Sequence, residues 1–190
     1  MSGGKVSTSD VTEQREATKS LTPLAYLLPL RLTVGWDWLD AGLRKLMLAP
    51  AKVNPSSSSF VLNKFVSFLP HAGPFTFLLK YFLENPSVGG TFLVTYAVAE
   101  VIVGVFLITG LLSRLAGFGS VVMAAALMPA YWLGSTCEDE WQIGILLVAS
   151  SVVLMLMASG RKFGLDSYLF VKFGDRPISS LPVLRWIKFW

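Results

Sequence analysis

The sequence contains one cysteine and one histidine. That scarcity excludes an internal disulfide and leaves no Cys-x-x-Cys or mixed Cys/His cluster to hold zinc, iron–sulfur or haem. No Gly-x-Gly-x-x-Gly opens a helix, so no dinucleotide-binding turn is expected. Charge is equally scarce: 15% of the residues are charged against 53% hydrophobic, and the mean hydropathy is +0.59. A soluble domain carries about 25% charged residues. The deficit excludes a soluble enzyme or a nucleic-acid-binding module and implies an integral membrane protein. Residues 1–20 are polar, rich in Ser and Thr, and lack an apolar run, so no cleavable signal is expected. The first membrane helix then serves as the insertion signal.

Four segments approach the roughly 20 residues needed to cross about 30 Å of hydrocarbon: 24–48, 91–112, 114–134 and 141–158. Backbone in lipid has no alternative to helix here. The expected fold is therefore an all-α integral membrane domain over 21–160, a four-helix transmembrane bundle. A polar segment, 1–20, precedes it and a basic, aromatic tail, 161–190, follows. The connection 49–90 is long for a bundle. Within it, 60–69 and 74–83 are apolar and aromatic around Pro70-His71-Ala72-Gly73-Pro74, which suits two short interfacial helices forming an outer lid. Arg114 and the run Gly160-Arg161-Lys162 mark the inner face, whereas Cys137-Glu138-Asp139-Glu140 has no base. By the positive-inside rule both termini are cytoplasmic in a multi-pass protein of the plasma membrane.

The first segment carries Arg31, Asp37, Asp40, Arg44 and Lys45. Each charge at the centre of a spanning helix costs roughly 2.5 to 3.5 kcal/mol on insertion scales, so it persists where the interior satisfies it or where it works. At 100° per residue, Arg31, Gly35, Trp38, Gly42 and Lys45 share one face, and Asp37, Asp40 and Arg44 lie nearly opposite. The glycines admit a neighbouring helix. Asp40 and Arg44 are spaced as an i,i+4 ion pair. The second segment carries one carboxylate, Glu100, in line with Tyr96 and Gly104. Depth estimates at about 1.5 Å per residue leave two partners open for it, Arg31 and Asp37.

A first helix of the form Arg31...Gly35...Ala41-Gly42...Lys45-Leu46 leads the pattern. A second follows with Glu100...Gly104...Gly110...Arg114-Leu115-Ala116, and a fourth ends in Gly160-Arg161...Leu165-Asp166. This order resembles the DoxX/DoxD membrane family over about residues 24–169, and the long first loop is more similar to DoxD, the membrane subunit of archaeal thiosulfate:quinone oxidoreductase. The resemblance implies oxidation of thiosulfate to tetrathionate outside and reduction of membrane quinone. It also implies a smaller DoxA-like partner in a hetero-oligomer, with two copies of each subunit as one arrangement; with one His and one Cys in the chain, no metal, haem or flavin is expected.

That chemistry assigns candidate roles. Thiosulfate is a dianion and needs bases that stay charged: Arg44 and Lys45 at the outer mouth, Arg31 deeper, and His71 in the lid. Quinone reduction takes up two protons, for which Glu100, desolvated in the bundle, is the leading donor, with Asp40 and Asp37 as further acid–base groups. Trp36, Trp38, Tyr131 and Trp132 could hold a quinone ring. Bland readings stand beside these: an interfacial aromatic belt, Arg44 merely neutralising Asp37 and Asp40, and His71 as an exposed or capping residue. Cys137 is followed by three carboxylates, which raise a thiol pKa and repel a dianion. A non-catalytic anchor or scaffold subunit of a respiratory complex is the alternative function. An anion carrier is a weaker third, since no inverted repeat is evident.

Overall fold

The computed structural model describes residues 24–131 and 138–173, apart from the side chains of 71, 74, 128–131, 138–142 and 173. The polar segment 1–20, the tail from 174 onward, Trp132 and Cys137 lie outside the described residues. Among those described there is helix and no strand. Helix α1 spans Leu28–Leu43, with Pro29 in its first turn, where the missing N–H costs nothing. It continues as a single π-turn, Arg44–Leu48, closed by the Ala49 amide donating to the Arg44 carbonyl at 2.7 Å. Two short helices, α2 (Phe65–Phe68) and α3 (Thr76–Glu84), lie between 3-10 turns in the long connection. Helix α4 covers Pro86–Thr109, α5 Ser113–Tyr131, α6 Glu138–Met157 and α7 Leu165–Phe173.

Among the described residues only α4, with 24 residues, is both long and apolar enough to cross a membrane, and it begins at Pro86 rather than Thr91. The apolar stretches Ser113–Leu127 and Ile143–Met157 are shorter. Residues from α1, α4, α5 and α6 meet in one core built on Val34, Trp38, Leu107, Ala116, Met123, Ala124 and Leu154. A second, smaller core gathers Phe60, Leu62, Phe82 and Leu93, which folds the long connection onto the start of α4. Phe82 stacks on Phe92 with ring centroids 4.8 Å apart.

Backbone contact between α1 and α4 positions everything that follows. A Cβ at Gly104 would lie 2.6 Å from the Leu39 nitrogen, and one at Gly42 would lie 2.7 Å from the Ala97 carbonyl. Only residues without side-chain bulk allow this approach. It locks two antiparallel helices into one register, with Gly35 against Gly104 and Gly42 against Ala97. The buried residues of α1 are Arg31, Val34, Gly35, Trp38 and Gly42, the face that the helical spacing predicts.

Candidate functional site

In that register Glu100 meets Lys45. Helical Cβ bonds tilt toward each helix's own N-terminus. In an antiparallel pair, Lys45 near the end of α1 and Glu100 midway along α4 therefore lean toward one another. The Lys45 ammonium lies 2.5 Å from Glu100 Oε1. The Glu100 side chain is 1% exposed and that of Lys45 20%. Neither Arg31 nor Asp37, the two partners open from depth alone, reaches this carboxylate. Arg31 fails because it leans the opposite way, toward the start of α1. Lys45 also sits 5.4 Å from the centre of the Tyr96 ring, whose hydroxyl donates to the Met123 carbonyl at 2.9 Å. Glu100 Oε2 is buried without a hydrogen-bond partner. Such an oxygen is costly to leave unmatched, and it can accept from, or when protonated donate to, a group entering beside it. The pair thus combines a fixed cation, a carboxylate held at one oxygen, and a second oxygen free for chemistry.

Arg31 belongs to a different structure at the opposite end of α1. Its two terminal nitrogens donate to the carbonyls of Ser159 at 2.9 Å and Phe163 at 2.7 Å. Asp166, fully buried, accepts from the amides of Leu112 at 2.6 Å and Ser113 at 2.8 Å. Its carboxylate thereby satisfies open N–H groups at the start of α5. Helix α4 ends at Gly110, whose φ of +66 is the left-handed stop that glycine adopts without strain. The non-glycine residues with positive φ among those described, Leu112, Ala158 and Phe163, all fall in this knot. Each is, or adjoins, a residue whose backbone is held by Arg31 or Asp166. Local strain of that kind persists where surrounding contacts enforce it.

The remaining candidates are scattered. Trp38 is buried at 2% exposure, and its indole N–H donates to Ser120 Oγ at 2.6 Å. Ser120 and Ser151 hydroxyls are 2.6 Å apart, and Ser151 donates to the Leu147 carbonyl. The donors therefore run one way, Trp38 to Ser120 to Ser151 to the α6 backbone, linking α1, α5 and α6. Trp36 points outward and is 61% exposed, so the two tryptophans do not share a pocket. Arg44 pairs with Asp40 at 2.6 Å on the outward side of α1, as an i,i+4 spacing requires. Asp37 is exposed on that same side. The structure does not bring Arg31, Arg44 and Lys45 to one anion site: about 14 residues of helix, roughly 21 Å at 1.5 Å per residue, separate the first from the last. Trp132 and the side chains of His71 and Tyr131 lie outside the described residues. No group of three or more metal-ligating side chains occurs among those described.

Sequence reasoning missed the roles of Ser120, Ser151, Ser159 and Phe163, and quoted Asp166 only as part of a pattern. Isolated serines inside the apolar runs of α5 and α6 were the available signal for the first two.

A chain whose described residues form helices and no strand, with a membrane-length apolar helix and an ion pair buried against it, belongs to the class of membrane proteins that keep charge in the interior for assembly or chemistry. Comparison with known sequences makes the class particular. The DoxD family, described as "TQO small subunit DoxD", matches residues 26–190, and the chain belongs to that family. DoxD is a membrane family associated with an oxidoreductase complex, and a small subunit implies at least one further subunit. The description gives the small size to DoxD itself rather than to its partner. No solved structure matches the chain.

Proposed function

We propose that the chain is the membrane subunit of a thiosulfate:quinone oxidoreductase and that its Lys45–Glu100 pair serves the quinone-reducing step. The observation that carries this reading is the buried, unpartnered Glu100 Oε2 beside a charged lysine. In the overall reaction two thiosulfates lose two electrons and join through a new S–S bond as tetrathionate; the quinone gains those electrons and two protons. Protonated Glu100 donates one of the two protons from Oε2 to a quinone oxygen and, once reprotonated from the aqueous side, donates the second in the same way. The Lys45 ammonium then stabilises the carboxylate left behind. Lys45, part-exposed, also marks the side from which a proton returns. The reading requires no metal, haem or flavin in this chain.

In this proposal α1, α4, α5 and α6 form a four-helix bundle in the plasma membrane with both termini in the cytoplasm. The lid then faces outward with the Lys45 end, and thiosulfate is oxidised on that side. A DoxA-like partner completes a hetero-oligomer, for which two copies of each subunit is one arrangement. Arg44, closed on Asp40, and Arg31, bonded to backbone carbonyls, are assigned to assembly rather than to anion binding.

The test is thiosulfate-driven quinone reduction by the intact complex, comparing wild type with Glu100→Gln. A general acid contributes typically about 100- to 10,000-fold, so the variant should lose at least the lower figure while assembling normally. Equal rates would reject the proton-donor role. They would favour the second reading, an anchor subunit, which the Arg31 bonds to backbone carbonyls and the Arg44–Asp40 pair already suit.

A further inference from the structure

One face of α1 takes no part in the Lys45–Glu100 site or in the Arg31 knot. Thr33, Trp36, Asp37, Asp40 and Arg44 recur at three- and four-residue spacing on the side turned away from the core. Trp36 and the Arg44 side chain are each 61% exposed. Arg44 neutralises Asp40, whereas Asp37 has no hydrogen-bond or ion-pair partner among the described residues. The stripe therefore carries one uncompensated negative charge. Gly35 and Gly42 bracket Asp37 and lie against Gly104 and Ala97 of α4. Asp37 is consequently level with the interior of the membrane-length helix, not with its ends. On the membrane reading, on which this inference rests, lipid would face a bare carboxylate there, and such residues face protein or water instead.

We propose that this stripe is the docking surface for a transmembrane helix of a different polypeptide that carries a lysine or arginine at the depth of Asp37. A second copy of this chain does not meet the requirement. Copies inserted in the same sense pair α1 with α1 about an axis along the membrane normal, which sets Asp37 at the same depth as its own counterpart. Nor do the described membrane-level stretches of a second copy's other helices supply the cation. Residues 86–109, 115–131 and 138–157 contain no lysine or arginine, and the outward side chains of α4 at that level, Val98, Ile102 and Val105, are apolar. Charge complementarity thus selects a partner whose own membrane segment contains a base, and Trp36 beside Asp37 offers the large amphipathic contact typical of an interface anchor.

The experiment uses the complex isolated from its native membranes through a tag on this chain. Asp37→Lys should reduce the co-purifying subunits by roughly tenfold or more, the loss expected when a desolvated charge pair becomes a like-charge contact. Asp37→Asn should cause a smaller loss, and Val98→Asn on the α4 face should cause none. In parallel, p-benzoylphenylalanine placed at Trp36 should crosslink to an apolar peptide of another polypeptide bearing a lysine or arginine. Full retention of partners in Asp37→Lys overturns the proposal. So does a crosslink from position 36 only to lipid, to a second copy, or to residues 1–23 or 174–190 of the same chain. A nitroxide at position 98 separates the two levels of inference. If it is exposed to lipid-dissolved oxygen while position 36 crosslinks only to lipid, the docking face alone is lost; if it is exposed to a water-soluble nickel reagent, the membrane reading fails and the docking face goes with it.

Discussion

Arg31→Ala should destabilise the protein more than any exposed substitution on α1, although the residue lies at the far end of that helix from the Lys45–Glu100 pair. Its guanidinium is 1% exposed and donates to two carbonyls, those of Ser159 and Phe163. Hydrogen bonds to a charged group contribute about 1.5 to 3 kcal/mol each, so losing both costs roughly 3 to 6 kcal/mol. For a chain of this size 1 kcal/mol corresponds to about 2 to 4 °C, which places the fall in melting temperature at roughly 6 to 24 °C. Arg31→Lys keeps the charge but replaces a planar fork with a single nitrogen, and should recover about half of the loss. The assay is thermal unfolding of the purified chain in nanodiscs, followed by tryptophan fluorescence, with amide exchange read over 158–166. A shift under about 4 °C, or unchanged exchange in that segment, would show that the two carbonyls are satisfied without Arg31 and that the knot is held by something else.

Removing one member of the buried pair leaves an uncompensated charge, so Lys45→Met or Glu100→Leu alone should cost about 3 to 5 kcal/mol. The double variant should regain most of that stability yet not regain quinone reduction; melting curves beside activity assays check both. Gly104→Ala places a methyl 2.6 Å from the Leu39 nitrogen and should cost about 1 to 3 kcal/mol by forcing the helices apart. Gly119→Ala meets only the Val103 side chain, at 3.2 Å, and should melt close to wild type. Phe163→Gly removes a left-handed side chain that costs roughly 1 to 2 kcal/mol by its backbone conformation; because Phe163 is 65% exposed, the variant should melt slightly higher.

The inward face of α1 was legible because a 3.6-residue period places Arg31, Gly35, Trp38 and Gly42 in line whatever they touch. The same holds for the Asp40–Arg44 pair, a purely local contact. The partner of Glu100 was not legible from segment ends, since each residue of error moves a depth estimate by about 1.5 Å and the choice among Arg31, Asp37 and Lys45 turns on a few such steps. A better ruler was present. Gly35 and Gly42 are seven residues apart, as are Ala97 and Gly104, and matching small residues on facing helices would have set the offset and, with the lean of Cβ bonds, selected Lys45. The knot lay beyond any local rule, because Asp166 caps amides more than 50 residues earlier in the chain. Ser120 and Ser151 gave no periodic cue to each other, or to the indole that completes their chain.

The Arg31 contacts also impose an order on biosynthesis. The carbonyls that receive this guanidinium come 128 and 132 residues later in the chain. At roughly 5 to 20 residues per second, translation takes on the order of ten seconds to supply them. Throughout that interval the first helix carries an arginine whose final acceptors do not yet exist, so its early placement is provisional and becomes permanent only when the last helices arrive. A chain that ends before residue 159 has neither acceptor and leaves the Arg31 guanidinium without the two bonds that fix this end of the first helix.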